Sequence, residues 1–275
     1  MLLPLIFFFF GLAVGSFLNV VIQRSARGEM LTGRSHCDTC GVTLIWSELI
    51  PLVSFVYQKG RCRHCGTVLS VQYVLVEFAT GIIFAAIASS IFTETVLMGD
   101  VFSLLTLGVL LASAAAMIVV VVTDFNYHII LNGSVVFLAI LGGVVTLARN
   151  GLMCIPGYVP CSFFSFQGLI GDIAASVGAV IFLFTLWFFS KGRAMGFGDV
   201  KLIGATSLLL GFPLSILALL FSFWLGGIWG MGLLVAHMRN LKSQIAFGPF
   251  IIAGTALAFL FGKSFLMSSG FYYLL

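Results

Sequence analysis

The sequence predicts an all-α polytopic membrane protein with about eight transmembrane helices. Of its 275 residues, 61% are hydrophobic and only 8% are charged. Apolar runs of about 20 residues, each long enough to cross a bilayer as a helix, recur along the chain. A water-soluble protein is excluded, because a soluble surface requires roughly 25% charged residues. A transmembrane β-barrel would show segments of about 10 residues with alternating polarity, which this sequence lacks.

The eight predicted spans follow one another with a single long interruption. The first, approximately 2–22, has no basic residue before it and no cleavage pattern, so we expect a retained span rather than a signal peptide. The other seven are predicted at approximately 73–93, 101–122, 129–148, 168–190, 200–211, 213–236 and 247–267. The sixth span is short, and only the breaker Gly211-Phe212-Pro213 separates it from the seventh.

A polar stretch at residues 23–72 interrupts the apolar runs. It holds six basic residues and four of the six cysteines, and it is too polar to lie in hydrocarbon. The sequence therefore predicts three parts. These are a first transmembrane helix at 1–22, an insert with four cysteines at 23–72, and a transmembrane core at 73–275. The charge pattern, the cysteine spacing and two aspartates, taken up in turn below, predict that the insert is cytoplasmic and binds zinc and that the core is catalytic.

The basic residues predict the orientation in the lipid bilayer, because short cytoplasmic loops retain Lys and Arg. With the insert in the cytoplasm, eleven of the 13 basic residues lie at the inner face, and only Arg149 and Lys263 lie outside. We therefore expect both termini to face the exterior. The loops at 123–128, 191–199 and 237–246 would then face the cytoplasm, and no nucleic-acid partner is expected.

Two C-x-x-C pairs in the insert predict a structural zinc site. Cys37 and Cys40 form the first pair, Cys62 and Cys65 form the second, and a glycine follows each pair. Four thiolates at this spacing can surround Zn²⁺ tetrahedrally and leave no open position for catalysis. Two disulfides or a set of redox thiols are the alternative, which a reducing cytoplasm disfavours.

Other cysteines and histidines leave two points open. His36 and His64 adjoin the cysteine pairs, and either could replace one thiolate, although such neighbours are more often bystanders. Cys154 and Cys161 lie in the predicted outer loop 149–167 and could form a disulfide or remain unpaired.

Two isolated aspartates carry the predicted catalytic chemistry. Asp124 ends the third predicted span and Asp199 begins the sixth, so both fall at the predicted inner face. Ionisable groups at membrane depth are costly and point to function. Two carboxylates that share a site cannot both ionise, so one holds a proton while the other polarises water, as aspartyl peptide hydrolysis requires. Taken alone, either aspartate would be interpreted as an interfacial capping charge.

Glycines beside Asp199 strengthen this hypothesis. Gly196 and Gly198 would let an extended peptide approach the carboxylate closely. We expect Gly198→Ala to impair cleavage and Gly142→Ala, in the outward part of the fourth span, to be tolerated. The remaining acids of the insert and of one outer turn are interpreted as solvated charges: Glu29, Asp38, Glu48, Glu94 and Asp100.

The sequence resembles the type IV prepilin peptidases, bacterial membrane aspartyl proteases of the GxGD type. Besides the cysteine pairs and the Asp124 segment, the resemblance is carried by Gly15–Arg24, Ile50–Ser54, Tyr73–Glu77, Gly196–Lys201 and Phe247–Phe250. It implies that Asp124 and Asp199 are the catalytic dyad and that Gly196, Gly198, Lys201 and Glu77 bind substrate. Three positions depart from the family pattern. In Ile130-Leu131-Asn132 the family often has Pro and Asp at the second and third positions, and Val74 stands where Pro is common.

The resemblance also implies an activity. The expected enzyme removes short basic leaders from prepilins or pseudopilins at the cytoplasmic face of the bacterial inner membrane, in type IV pilus assembly or type II secretion. Similar proteins with the cysteine-bearing insert also methylate the new N-terminus with S-adenosylmethionine. For this chain methylation is implied by resemblance alone, because the sequence shows no separate Gly-rich cofactor loop.

Two other functions compete with this prediction. A proton-coupled transporter would use Asp124, Asp199 and Glu77 as a relay, but a relay needs carboxylates near the middle of the membrane and both aspartates are predicted at one edge. A zinc-dependent membrane hydrolase would need an open metal position, which four cysteine ligands do not provide.

Overall fold

The computed structural model describes residues 2–92, 101–150, 166–193, 195–236 and 246–270. In these ranges the chain is helical and contains no β-strand apart from two isolated bridges in the insert. The helices are α1 (Leu2–Arg27), α2 (Val53–Tyr57), α3 (Gln72–Phe92), α4 (Val101–Tyr127), α5 (Asn132–Arg149), α6 (Phe166–Phe189), α7 (Phe197–Leu210), α8 (Leu214–Val235) and α9 (Gly248–Ser268). The predicted all-α polytopic fold is confirmed.

Eight of these helices, all except the short α2, correspond to the eight predicted spans. Six are long and apolar enough to cross a membrane by length and composition, namely α1, α3, α4, α5, α6 and α8. Helix α7 has 14 residues, or about 21 Å at 1.5 Å per residue, which is less than a hydrocarbon core of about 30 Å. The sixth span is therefore short, as the sequence predicts.

Several predictions concern residues outside the described ranges. They are the possible disulfide of Cys154 and Cys161, the outer-turn acids Glu94 and Asp100, and the inner-face basic residues Arg239 and Lys242. The described chain divides into two compact units, unit 1 (Met1–Val119) and unit 2 (Val120–Leu275). The functional division at residues 22 and 72 stays a prediction.

In unit 1, α1 packs closely on α3 because glycines lie at the contact. A Cβ on Gly11 would lie 2.7 Å from Thr80 O, and one on Gly15 would lie 2.7 Å from Glu77 Cα. Small residues of this kind let two helix backbones approach each other within a membrane. Phe84, Leu107 and Leu111 continue the core from α3 to the first half of α4. This packing places the start of α3, with Glu77, against the end of α1.

In unit 2, α7 lies against α5 and α6. A Cβ on Gly142 of α5 would lie 2.9 Å from Leu209 N, and Thr146 Oγ1 donates to Leu208 O at 2.7 Å. Gly142 is therefore buried against the α7 backbone. The expectation that Gly142→Ala is tolerated is wrong on packing grounds, because a methyl group there has no room. These contacts fix the position of α7, which carries Asp199 in its first turn.

Hydrogen bonds around a buried carboxylate hold the C-terminal end of α7. Asp172 of α6 accepts hydrogen bonds from Arg149 Nη2, Asn150 Nδ2 and Phe212 N at 2.8, 2.8 and 2.7 Å. Arg149 Nη1 also donates to Leu210 O, the last residue of α7, at 2.8 Å. Sequence reasoning assigned Arg149 only to the outer side and gave Asp172 no role. The structure shows that they tie together the ends of α5, α6 and α7.

Candidate functional site

Asp124 lies in the last turn of α4 and points at the start of α9. Its side chain is 5% exposed, and its Oδ2 accepts a hydrogen bond from Gly248 N at 3.0 Å. A Cβ on Gly248 would lie 2.5 Å from that oxygen, so only glycine fits. Pro249 follows in the first turn of α9, where the missing proline N–H costs no hydrogen bond. The helix N-terminus thus presents a positive dipole end to a buried carboxylate.

Asp199 lies in the first turn of α7 and caps that helix. Its Oδ2 accepts from Gly196 N at 3.0 Å, and the residue is 5% exposed. Its second oxygen, Oδ1, is buried, and no donor or acceptor among the described residues reaches it. A buried carboxylate oxygen without a partner is costly and is characteristic of a functional position. Burial and capping therefore fix the orientation of Asp199, while its Oδ1 has no hydrogen-bond partner among the described residues.

The structure brings the two aspartates together within unit 2. Their carboxylates are close enough for the two negative charges to repel each other. Ile130 contacts both sides of the site, because its Cδ1 would lie 3.1 Å from a Cβ on Gly198 and 3.4 Å from one on Gly248. We call this group the aspartate site: Asp124, Asp199, Gly196, Gly198, Gly248 and Ile130. Sequence reasoning gave no role to Ile130 or Gly248, although the Gly-Pro pair that opens α9 is a recognisable helix-start signal.

Lys201 is exposed on α7, two residues after Asp199. Its Nζ donates to Asn132 Oδ1 at 2.7 Å and lies 5.3 Å from the centre of the Phe197 ring. The lysine therefore connects α7 to the first residue of α5. Asn132 is one of the residues at which the sequence departs from the prepilin peptidase pattern, where Asp is common. Its neutral amide accepts a hydrogen bond from Lys201, whereas an Asp at this position would form an ion pair with that lysine.

Glu77 belongs to unit 1 and is 8% exposed. Its Oε2 accepts from Leu52 N at 2.9 Å, and it also forms a hydrogen bond with the Ser16 side chain. Leu52 lies in a tight turn with φ 59° and ψ −48°, closed by a 2.6 Å bond from Val53 N to Pro51 O. This is the strained form of the γ-turn. Glu77 thus holds the turn that leads into α2 within the insert.

The four cysteines of the insert converge in two matching knuckles. Gly41 N donates to Cys37 O and Gly66 N to Cys62 O, both at 2.9 Å, and each glycine has a left-handed φ near 70°. The four sulfur atoms all lie within 4.8 Å of one another, and Cys37 Sγ is 3.8 Å from Cys65 Sγ. Zn–S bonds of about 2.3 Å in a tetrahedron place sulfur atoms about 3.8 Å apart, so the cluster fits a zinc ion.

The surroundings shift the thiols of the cluster in opposite directions, and desolvation and the neighbouring cysteines raise the pKa of the Cys40 thiol to about 11. Hydrogen bonds with the side chain and backbone of Thr67 lower the pKa of the Cys65 thiol to about 6. The thiolate is the form that binds metal. Among the described residues, the group that could hold a metal consists of cysteines only. His64 lies instead with its Nε2 3.6 Å from Glu48 Oε1.

Glu48 differs from the sequence-based interpretation. It was expected to be a solvated charge, but it is only 7% exposed, and its Oε2 accepts from Ile45 N at 3.0 Å. That bond closes the short 3₁₀ turn at Trp46–Glu48. The polar composition of the insert does not reveal this burial, because it depends on the fold of the knuckles.

Comparisons with known proteins match both parts of the chain. Residues 9–91 match the bacterial peptidase A24 N-terminal domain, and residues 111–231 match the type IV leader peptidase family. The chain is 30% identical to the prepilin leader peptidase/N-methyltransferase of Aeromonas salmonicida (strain A449), over 94% of this chain and 90% of that protein. It is also 30% identical to the protein of the same name from Bacillus subtilis (strain 168), over 94% of each chain. No solved structure matches it.

Proposed function

The chain belongs to the type IV leader peptidase family, and from that premise we propose that it removes the basic leader from prepilins or pseudopilins and then methylates the new N-terminus. The proposed site is the aspartate site, with Asp124 and Asp199 as the catalytic dyad. The observation that carries the proposal is the pairing of two buried carboxylates, each held by a glycine N–H. Membership of a peptidase family also weighs against the proton-coupled transporter.

The dyad supplies an acid and a base. Like charges in one buried site favour a single shared proton, so one carboxylic acid faces one carboxylate. The carboxylate takes a proton from a water molecule whose oxygen attacks the scissile carbonyl, while the acid donates its proton to the carbonyl oxygen. Collapse of the tetrahedral intermediate breaks the C–N bond, and a proton from the dyad leaves with the amine. The uncommitted Oδ1 of Asp199 is available to exchange these protons.

The neighbouring residues position the peptide. A substrate backbone is proposed to lie extended along Gly196 and Gly198, beside Ile130, which packs against Gly198. Lys201 is proposed as a further substrate-binding residue, since it follows Asp199 by two residues and is exposed on α7. Glu77 belongs to unit 1, and its role in substrate binding stays a prediction. We propose that the aspartate site and the insert face the cytoplasm at the inner membrane, because the basic residues concentrate on that side. The basic leader would then remain in the cytoplasm while the apolar pilin helix stays in the bilayer.

Two cofactors belong to the proposal. The cysteine cluster holds zinc in a structural role, since four thiolates close the coordination shell. Methylation uses S-adenosylmethionine, which supplies an electrophilic methyl group.

The experiment is cleavage of a candidate prepilin by the purified chain, measured as a size shift on a gel. Asp124→Asn and Asp199→Asn each keep a hydrogen-bond acceptor for the glycine N–H but cannot exchange the proton. We expect each to lower the cleavage rate by at least about 10²- to 10⁴-fold. Asp100→Asn, in the predicted outer turn, is the matched control and should cleave at the parent rate. Substantial cleavage by either purified dyad variant would refute the assignment.

A further inference from the structure

A cavity of about 360 Å³ lies within unit 1, bounded by the end of α1, the insert and the start of α3. Small-molecule sites in proteins are clefts of about 300–1,000 Å³ with a few converging polar groups. Among the polar residues that line this one are Ser16, Asn19, Asp38, Glu48, Tyr73 and Glu77. We call it the acceptor cavity after the three carboxylates in its lining. The aspartate site lies in unit 2 and contributes no residue to it.

One acceptor in the cavity wall lacks a donor. Asn19 is 4% exposed, and its Nδ2 donates to Tyr73 O at 3.1 Å, which fixes the direction of the amide. Its Oδ1 is buried, and within the part of the chain that the structure describes no group donates to it. A buried polar oxygen without a partner is unfavourable, because it has lost its hydrogen bonds to water. An occupant that carries N–H or O–H donors would remove this cost.

The charge of the lining points to a cation. Three carboxylates line the cavity, and of its described lining residues none is Lys or Arg. Asp38 is already paired with Arg27 at 2.8 Å, and Glu48 lies beside His64. Glu77 receives only neutral donors, from Leu52 N and the Ser16 side chain. A buried carboxylate that lacks a cationic partner is expensive, and a positively charged ligand would neutralise it.

We infer that the acceptor cavity binds the methyl donor S-adenosylmethionine, with Glu77 and Asn19 holding the ammonium group of its amino-acid end. This inference rests on the proposed methylation. The donor carries an ammonium and a sulfonium against one carboxylate, so its net charge is positive and suits an acidic lining. Its adenine is flat and apolar on its faces, and Phe55 and Tyr73 supply aromatic rings in the same wall. An anionic nucleotide would be repelled by Glu77, whose carboxylate receives only neutral hydrogen-bond donors.

The test is equilibrium binding of S-adenosylmethionine to the detergent-purified full chain by isothermal titration calorimetry. Glu77→Gln keeps an oxygen that accepts from Leu52 N but removes the charge. We expect it to weaken binding by about 10- to 100-fold, the range for loss of a charged hydrogen bond. S-adenosylhomocysteine keeps the amino-acid end and lacks only the sulfonium charge, so its affinity should fall by a similar factor in the same variant. Asn19→Leu, which removes the unpaired acceptor, should also weaken binding of the donor.

Controls separate this inference from a folding defect. Glu29→Gln removes an exposed carboxylate of the insert that does not line the cavity, and its donor affinity should match that of the parent. Zinc content and gel-filtration profile must match the parent in every variant compared. Equal donor affinity in Glu77→Gln and Glu29→Gln would overturn the inference.

The outcomes also distinguish the inference from the proposed function. A parent protein that cleaves prepilin and methylates it, but whose donor affinity is insensitive to both Glu77→Gln and Asn19→Leu, places the donor elsewhere and leaves the proposed function intact. A parent that cleaves no prepilin refutes the peptidase proposal, whatever the donor does. A synthetic basic leader peptide that displaces the donor competitively, and whose own binding depends on Glu77, would make the cavity a leader site and overturn the inference.

Discussion

The cysteine cluster of the insert and the aspartate site of unit 2 are assembled in different ways. The cluster takes its four sulfurs from two short segments, 37–40 and 62–65, and each segment folds through its own backbone hydrogen bonds. The aspartate site takes its groups from the end of α4, the start of α7 and the start of α9. Only packing among helices brings those three ends together.

This difference predicts how each site fails. A metal cluster in a small polar insert depends on its ligands, because there is little apolar core and metal binding supplies folding free energy. The aspartate site depends instead on backbone positions set by close helix contacts, such as Gly248 against Asp124 and Gly198 against Ile130. Loss of one ligand should abolish the first site, whereas an added methyl group should impair the second.

The largest expected effect is on the cluster. Cys37→Ser combined with Cys40→Ser should remove about one zinc per chain, because the two remaining thiolates cannot complete the tetrahedron. Structural zinc contributes about 10–16 kcal/mol in small zinc-binding peptides, so the insert should lose its fold. Elemental analysis measures the metal, and limited proteolysis between residues 37 and 65 reports the fold.

The double substitution Cys154→Ser with Cys161→Ser is the matched control, since it also removes two cysteines but none of the four in the cluster. It should retain the zinc and the protease resistance of the parent. If the Cys37/Cys40 variant keeps both its zinc and a protected insert, the structural role of the cluster is rejected.

The aspartate site should respond to a single methyl group. A Cβ on Gly198 would lie 3.0 Å from Ile130 Cβ and 3.1 Å from its Cδ1, so Ile130 must shift beside both aspartates. Displacements near 1 Å at a reacting centre can cost about 100-fold in rate, and a shift of a few tenths of an ångström costs less. We expect Gly198→Ala to reduce prepilin cleavage by about 10- to 100-fold, as measured by initial rates at matched protein levels.

Gly143→Ala is the control for this variant, because a Cβ at that position meets nothing within 4 Å. Its cleavage rate should equal that of the parent. Parent-like cleavage by Gly198→Ala would show that the G-x-G-D segment does not depend on the close approach seen here.

The sequence predicts features that depend on residues close together in the chain, and it misses features that depend on how the helices pack. The cysteine spacing is sufficient to predict the cluster, and two aspartates at span ends are sufficient to predict a paired site. The sequence assigns no role to Ile130 or Asp172. The contacts of an apolar residue in a loop, or of an acid in an apolar run, become visible only once the helices have packed. For the same reason the sequence predicts that Gly142→Ala is tolerated, because hydropathy does not show which face of α5 contacts α7.

A smaller effect is expected from the correction at Gly142. A Cβ there would lie 2.9 Å from Leu209 N and 3.0 Å from Ala205 O, and backbone atoms cannot move aside as a side chain can. We expect Gly142→Ala to lower the free energy of unfolding by about 1–3 kcal/mol, as overpacking usually does. Thermal unfolding in detergent compares it with Gly143→Ala, where the higher helix propensity of alanine should leave stability unchanged or slightly raised. Equal unfolding temperatures for the two variants would contradict the close α5–α7 contact.

The smallest expected effect concerns Lys201, whose role can be separated with a double-mutant cycle. Its exposed bond to Asn132 should contribute less than about 1 kcal/mol, because solvent competes for both groups.

If Lys201 acts only by tying α7 to α5, Lys201→Met should change cleavage less than about fivefold, and the change should vanish when Asn132→Ala is already present. If Lys201 binds the substrate directly, the effect of Lys201→Met should persist in the Asn132→Ala background and appear in KM rather than in kcat. Measurement of kcat and KM for the parent, the two single variants and the double variant decides between these roles. Persistence of the effect would extend the aspartate site to the exposed side of α7, and its disappearance would restrict Lys201 to positioning.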